Sequence, residues 1–204
     1  GDLEGMTAVP VVGAIPVHRT DKAKKSKVDR ELILDERPNS QQAEALRTLR
    51  ASLTFLGEQS ERQTFLITSS LASEGKSWIS ANLAQAFAQQ GDRTLLIDSD
   101  LRRSVLHSVF EVEGKSVGLT DFLSGKADLK DAIRRTQTND LYFLPAGSRS
   151  PNPAELLSSK KFNDLLPLCE KYFDRIIFDS APLVLVSDSL SIAKRVQSVL
   201  VVYH

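Results

Sequence analysis

One cysteine, one methionine, one tryptophan and no long apolar run mark this chain of 204 residues. Each scarcity excludes something. The lone Cys169 cannot build a disulfide framework within the chain and leaves no CxxC pair for zinc or an iron–sulfur cluster, so it reads as a buried structural thiol in a reducing cytoplasm. The best apolar candidate, Ala8 to Val17, falls short of the roughly 20 residues that cross a bilayer and is broken by Pro10 and Pro16, so this chain does not itself span a membrane. Lysine plus arginine equals aspartate plus glutamate at 26 each, so no global field recruits nucleic acid or anionic lipid. No basic face interleaved with aromatics is visible either, and a nucleic-acid module is unsupported. The length and an apolar content of 41% fit one sizeable core with a small appendage.

What the sequence does hold is concentrated between Thr64 and Ala84, where an apolar strand (Phe65, Leu66, Ile67) runs into a small-residue loop and then an amphipathic helix. The loop, Ser70-Leu-Ala72-Ser73-Glu74-Gly75-Lys76-Ser77, is a phosphate loop with Ser70 where the pattern has its leading glycine. Backbone N–H groups of such a loop point at phosphate oxygens, the lysine adds a full charge, and the serine hydroxyl can ligate magnesium at the positive end of the helix. The nucleotide-binding candidates are therefore Ser70, Ala72, Ser73, Glu74, Gly75, Lys76, Ser77 and Trp78. The helix repeats Ile79, Leu83, Ala86 and Phe87 until Gly91 closes it.

Two more apolar strands end in acids. In Arg93-Thr-Leu-Leu-Ile-Asp-Ser-Asp100 the two-residue period puts Asp98 and Asp100 on one side, and in Asp174-Arg-Ile-Ile-Phe-Asp179 the last residue ends an apolar run. Ligands of open parallel sheets bind just beyond such carboxyl ends. Lys76, Ser77, Asp98, Asp100 and Asp179 are thus expected to surround one Mg2+-bound ATP or GTP, with Ser77 and the three acids as candidate metal ligands.

Around this centre the chain alternates strands and helices, which predicts a doubly wound, mostly parallel α/β sheet of the P-loop NTPase type. A short edge strand is expected at Val11 and Val12, and a flexible basic linker from Arg19 to Arg30. A helix is expected from Ser40 to Glu58, with Ser40 as N-cap and Leu46, Leu49, Leu53 and Leu56 on one stripe. Its other side carries Glu44, Arg47 and Arg50, readable as weak intrahelical contacts or as a charged seam for another subunit. Further on, helical pieces fall at Ser104 to Phe110 and Leu119 to Leu123, a strand at Leu141 to Leu144, and a helix capped by Asn152 with Pro153 at its first position. Arg102 and Arg103 read as surface ion-pairing residues, with charge toward the phosphates as the alternative. The start at Gly1 and the end in a strand of buried character both read as cuts, so a fragment of something longer is expected.

With these segments in hand, the chain resembles the cytoplasmic domain of bacterial tyrosine autokinases that accompany polysaccharide co-polymerases. The resemblance rests on Glu44-Ala-Leu-Arg47-Thr-Leu-Arg50, SSLASEGKS, LLIDSDLRR from Leu95, GLTDFLSG from Gly118, PNPAELLSS from Pro151 and IIFDSAP from Ile176. It implies a juxtamembrane segment over residues 1–39 and a kinase domain over residues 40–204, at the inner face of the bacterial cell membrane. It implies ATP-dependent phosphorylation of a tyrosine-rich tail on a neighbouring subunit of a homo-oligomeric ring, with a membrane-spanning co-polymerase or adaptor as partner. By residue, Lys76 would bind the β and γ phosphates, Ser77 would ligate magnesium, and Asp98 would lie closest to the incoming tyrosine hydroxyl. Asp100 and Asp179 would position the metal and its waters, and Glu44, Arg47 and Arg50 would form the oligomer interface.

Two departures from the family bear on loop conformation and nucleotide affinity: Ala72-Ser73 stands for Pro-Gly, and Trp78 for a small residue. No tyrosine cluster is present, and Tyr142, Tyr172 and Tyr203 read as core residues, which places the acceptor tail beyond His204. The rival reading is a partition or division-site ATPase switch of the same fold. Those proteins carry a lysine early in the loop, where this chain has Leu71. A nucleotide-binding adaptor without catalysis is the third reading.

Overall fold

The structure is a computed structural model that describes residues 9–16, 32–55, 62–112, 116–183 and 188–203. Six strands form one sheet in the order β3-β4-β2-β5-β1-β6: β1 (Thr64–Ser69), β2 (Thr94–Asp98), β3 (Arg134–Arg135), β4 (Leu141–Leu144), β5 (Arg175–Asp179) and β6 (Ser198–Val202). All neighbours are parallel except the β3–β4 pair. Every residue of β1, β2 and β5 is buried, because these central strands are covered on both faces and can therefore be apolar throughout.

Among the described residues the helices are α1 (Ile33–Glu36), α2 (Gln41–Phe55), α3 (Lys76–Gln89), α4 (Leu119–Leu123), α5 (Leu129–Ala132), α6 (Pro153–Leu157), α7 (Lys160–Glu170) and α8 (Asp188–Ala193). Two layers of core flank the sheet. One packs Leu95, Ile97, Leu119, Leu157, Phe162, Leu165 and Phe178 under α4, α6 and α7. The other packs Phe65, Ile67, Leu83, Phe87, Leu96 and Phe143 under α3, with Leu49 and Leu53 of α2 joining from outside. Cys169 lies in the first layer, and burial pushes its thiol up to about 12, so it is an inert packing residue as expected.

Helix α2 forms because Ala43, Leu46, Leu49 and Leu53 recur on one face, and all four are buried. Ser40 caps it, its Oγ accepting the Ala43 N–H at 3.1 Å. Leu56 and Glu58, at the expected end of this helix, lie outside the described residues, as does the basic segment Arg19 to Arg30. Helix α1 belongs to the same core, since Ile33 and Leu34 pack on Ala43, Leu46 and Ala86, and the Ile33 N–H donates to Asn82 Oδ1 at 2.7 Å.

Several expectations are corrected. Residues 9–16 contain no strand at Val11 and Val12; Val12 and Ile15 pack against the outer core instead, a role that needs side chains but no ladder. Asn152 stands at the start of α6 with Pro153 at the first position, yet its side chain caps no backbone group and its Nδ2 donates to Glu155. Strand β6 is a half-exposed edge strand rather than a buried one, because among the described residues it pairs with β1 alone and turns Val199 and Val201 to the surface. Tyr172 and Tyr203 are exposed at 60% and 69%, so core packing does not account for them. Only Tyr142 packs, edge-on to Phe173 and under Arg93.

Candidate functional site

The parallel register brings the three expected elements to one edge. Asp98 and Asp179 are direct partners on adjacent β2 and β5, and Ile67 near the end of β1 pairs with Asp179. The phosphate loop leaves β1 beside them and delivers Lys76 as the first residue of α3. Within the loop, Ser69 Oγ donates to the Leu71 carbonyl at 2.6 Å and the Leu71 N–H donates to the Glu74 carboxylate at 2.7 Å. Ser73 and Gly75 both take left-handed backbone, at φ +66° and +87°. The backbone N–H groups of residues 73–78 donate to no protein acceptor among the described residues. A row of unpaired donors at a helix N-terminus is what a polyphosphate requires.

Lys76 is 8% exposed and its ammonium fills the space between the acids. Nζ lies 3.1 Å from Ser77 Oγ, 3.4 Å from Asp100 Oδ2 and 3.8 Å from Asp179 Oδ2. Asp98, Asp100 and Asp179 are all buried, and a single lysine cannot balance three carboxylates. Burial first, and the charge of Asp179 second, therefore push Asp98 up to about 8 against the opposing hydrogen bond from Ser104. Burial also raises Asp179, opposed by the charge of Lys76 and by the Ser77 and Ser80 hydroxyls.

This donor set fits a magnesium nucleotide. Among the described residues no group of three or more His, Cys, Asp and Glu forms a closed metal cage. Magnesium does not need one, because it keeps several waters and takes one or two protein oxygens plus phosphate oxygens. Ser77 Oγ and the strand-end carboxylates are such oxygens, and the surplus negative charge is what a divalent ion would neutralise.

The structure thus gathers Lys76, Ser77, Asp98, Asp100 and Asp179 in one place, with Glu74 and Gly75 shaping the loop. Trp78 differs from its neighbours: its side chain packs against the cluster of Ile33, Leu34, Ala43, Leu46 and Ala86, away from the other site residues. Glu44 and Arg47 meet on the surface of α2 at 3.3 Å, and Arg50 donates to Gln90 just past α3. Arg102 pairs with buried Asp188 at 2.8 Å, while the Arg103 N–H donates to Asp100 Oδ1 at 3.0 Å.

Three contributors were missed from sequence. Ser80 donates to Asp179 at 2.9 Å; its position one helical turn after Lys76 is the signal that would have found it. Ser99 grips the Asp179 carbonyl with its N–H and its hydroxyl, at 2.8 and 2.6 Å, locking β2 to β5 at the site. Ser104 donates to Asp98 Oδ2 at 2.6 Å, a contact set by how the following loop folds and invisible to periodicity.

With this geometry in place, comparison with known proteins gives consistent results. The family model described as AAA domain matches residues 71–202. The tyrosine-protein kinase YwqD of Bacillus subtilis is 39% identical over 168 residues, 82% of this chain and 70% of that protein. The tyrosine-protein kinase CpsD of Streptococcus pneumoniae is 45% identical over 129 residues, 63% of this chain and 57% of that protein. Among solved structures, the kinase domain of the Escherichia coli tyrosine kinase ETK superposes with a TM-score of 0.86 at 29% identity, covering 97% of this chain and 78% of that one. The septum site-determining protein MinD of Pyrococcus horikoshii, complexed with Mg-ADP, gives a lower TM-score of 0.59 at 27% identity, covering 69% of this chain and 57% of that one.

Proposed function

This chain belongs to the AAA domain family and, within it, to the bacterial tyrosine-protein kinases, and on that premise we propose how its residues transfer phosphate from ATP to tyrosine. The observation that carries the reading is the Lys76 ammonium, 3.4 Å from Asp100 and 3.8 Å from Asp179 at the start of α3, beside a row of unpaired N–H groups. The N–H groups of residues 73–78 take the phosphate oxygens, and Lys76 leaves its acids to bind the β and γ phosphates. Ser77, Asp100 and Asp179 would hold a magnesium ion, which would supply neutralisation of charge on the phosphates. Asp98 receives the tyrosine hydroxyl and accepts its proton. Phosphoryl transfer asks mainly for alignment and charge neutralisation, and these groups supply both.

The acceptor is a tyrosine-rich segment of a neighbouring subunit, and the charged seam of Glu44, Arg47 and Arg50 joins subunits into a ring. The ring sits at the inner membrane face with a membrane-spanning partner and regulates capsule or exopolysaccharide assembly. The division-site switch is less favoured: the fit to the MinD fold is poorer than to the kinase domain, and exposed Leu71 stands where the switch has its lysine.

Purified protein with magnesium and ATP is expected to phosphorylate a tyrosine-rich peptide, and Lys76→Met to abolish transfer. Nucleotide hydrolysis by the wild type without any phosphotyrosine would instead favour the switch. Nucleotide binding with neither outcome would leave the adaptor.

A further inference from the structure

The loop after β2 doubles back onto the acid that begins it. Asp98 ends the strand inside the core, and Ser104, six residues on, brings its Oγ to 2.6 Å from Asp98 Oδ2. Among the described residues the other oxygen, Oδ1, has only a longer contact, 3.3 Å from the Asp100 nitrogen. Ser104 Oγ also lies 3.2 Å from Nδ1 of His107, in the short 3-10 turn Leu106–Ser108. A hydroxyl has one proton to give, and an ionised carboxylate can only accept. In the ionised form that ligating a cation or accepting a tyrosine proton requires, Asp98 must therefore receive the Ser104 proton. The serine oxygen is then free to accept, and Nδ1–H of His107 is the donor in reach.

We propose that Ser104 is a positioning residue for Asp98 in the reaction, and that His107 holds the Ser104 hydroxyl in its donating orientation. The pair ties Oδ2 and leaves Oδ1 as the less engaged oxygen for the reacting groups. Holding the loop is not what the contact is for: the Arg102–Asp188 pair at 2.8 Å and the Arg103 N–H to Asp100 Oδ1 at 3.0 Å already anchor the loop at two neighbouring residues. The hydroxyl adds orientation of one carboxylate, which matters at the distances where catalytic groups must align.

The inference rests on the kinase reading above, and the tests separate the two. In steady-state phosphorylation of a tyrosine-rich peptide, Ser104→Ala is expected to lower kcat about tenfold, the scale of one lost hydrogen bond. KM for ATP and ADP affinity by calorimetry should stay within about twofold, since the nucleotide-binding groups are untouched. Ser104→Thr, which keeps the hydroxyl, should recover most of the rate, and His107→Ala should fall between. An unchanged kcat in Ser104→Ala, or a loss of ADP affinity matching the loss of rate, overturns the proposal. Independently of turnover, 15N shifts of the His107 ring, read at a pH above about 8 where the buried Asp98 carboxyl is ionised, should report Nδ1–H in the wild type, moving toward Nε2–H in Ser104→Ala. Nε2–H in the wild type also overturns it. A wild type that phosphorylates no peptide removes the kinase reading, and the ring tautomer then decides the orientation on its own.

Discussion

Ser73 adopts φ +66°, in the left-handed region where a side chain carries a steric cost of roughly 1–2 kcal/mol. The family resemblance puts glycine at this position, so serine here bears the strain of the loop shape. Ser73→Gly should relieve that strain, offset by roughly 0.5–1 kcal/mol of extra freedom in the unfolded chain. The net expectation is a stability gain of roughly 0.5–1 kcal/mol in urea unfolding; a loss would show that the serine makes a compensating contact.

Asp98 gives a pH signature. Burial raises its carboxyl from 3.8 to about 8, so the folded state holds the proton more tightly than the unfolded state does. That preference favours folding at low pH and is lost as pH rises through the interval from 3.8 to about 8. Asparagine mimics the neutral acid and has nothing to lose. The stability advantage of Asp98→Asn over wild type, without nucleotide, should therefore grow across that interval to at most a few kcal/mol and then level off. Denaturant unfolding at pH 5 and pH 8.5 checks it, and an advantage independent of pH would contradict the burial argument.

At the scale of elements, helix α4 is seated on the exit of β4 with no room for a side chain. A Cβ on Gly118 would lie 2.3 Å from the Pro145 carbonyl oxygen and 2.5 Å from the Gly147 nitrogen. The same junction is held by the Asp121 carboxylate, which accepts the Gly118 N–H at 3.0 Å and the Ser148 N–H at 3.2 Å. Gly118→Ala should cost about 1–3 kcal/mol or more, as overpacking against backbone does. Gly91 is the contrast, since its Cβ would meet nothing within 4 Å and only its φ of +97° resists substitution. Gly91→Ala should thus cost less than Gly118→Ala in thermal unfolding; the reverse order would mean that α4 shifts freely.

The expected helices and strands around the site were legible because their apolar periods were undisturbed, as in α2 with Leu46, Leu49 and Leu53 or β5 with Ile176, Ile177 and Phe178. Val11 and Val12 misled because a short apolar run with prolines fits an edge strand and an extended, packed segment equally well. Nothing in local sequence separates the two.

Taken as a whole molecule, the domain exposes the charged face of α2 while its leucine face is spent on the core. The Glu44–Arg47 contact is a surface ion pair, 73% and 39% exposed at its two side chains, and contributes little to folding. Replacing Glu44, Arg47 and Arg50 together with alanine should leave ADP binding and thermal stability nearly unchanged and reduce the assembled mass in light scattering. Unchanged mass would remove α2 as the assembly face.

The sequence by itself determined the layered α/β architecture, the phosphate loop and the identity of the strand-end acids, since these follow from short-range periodicity and from residue chemistry at fixed spacing. Only the tertiary structure decided which acids Lys76 touches, that Asp98 is held by Ser104, and that Trp78 turns to the α1–α2 side. Those outcomes depend on strands far apart in sequence lying side by side and on a loop folding back across six residues. Propensity sums over neighbours in the chain, whereas the electrostatics of a buried site sum over neighbours in space.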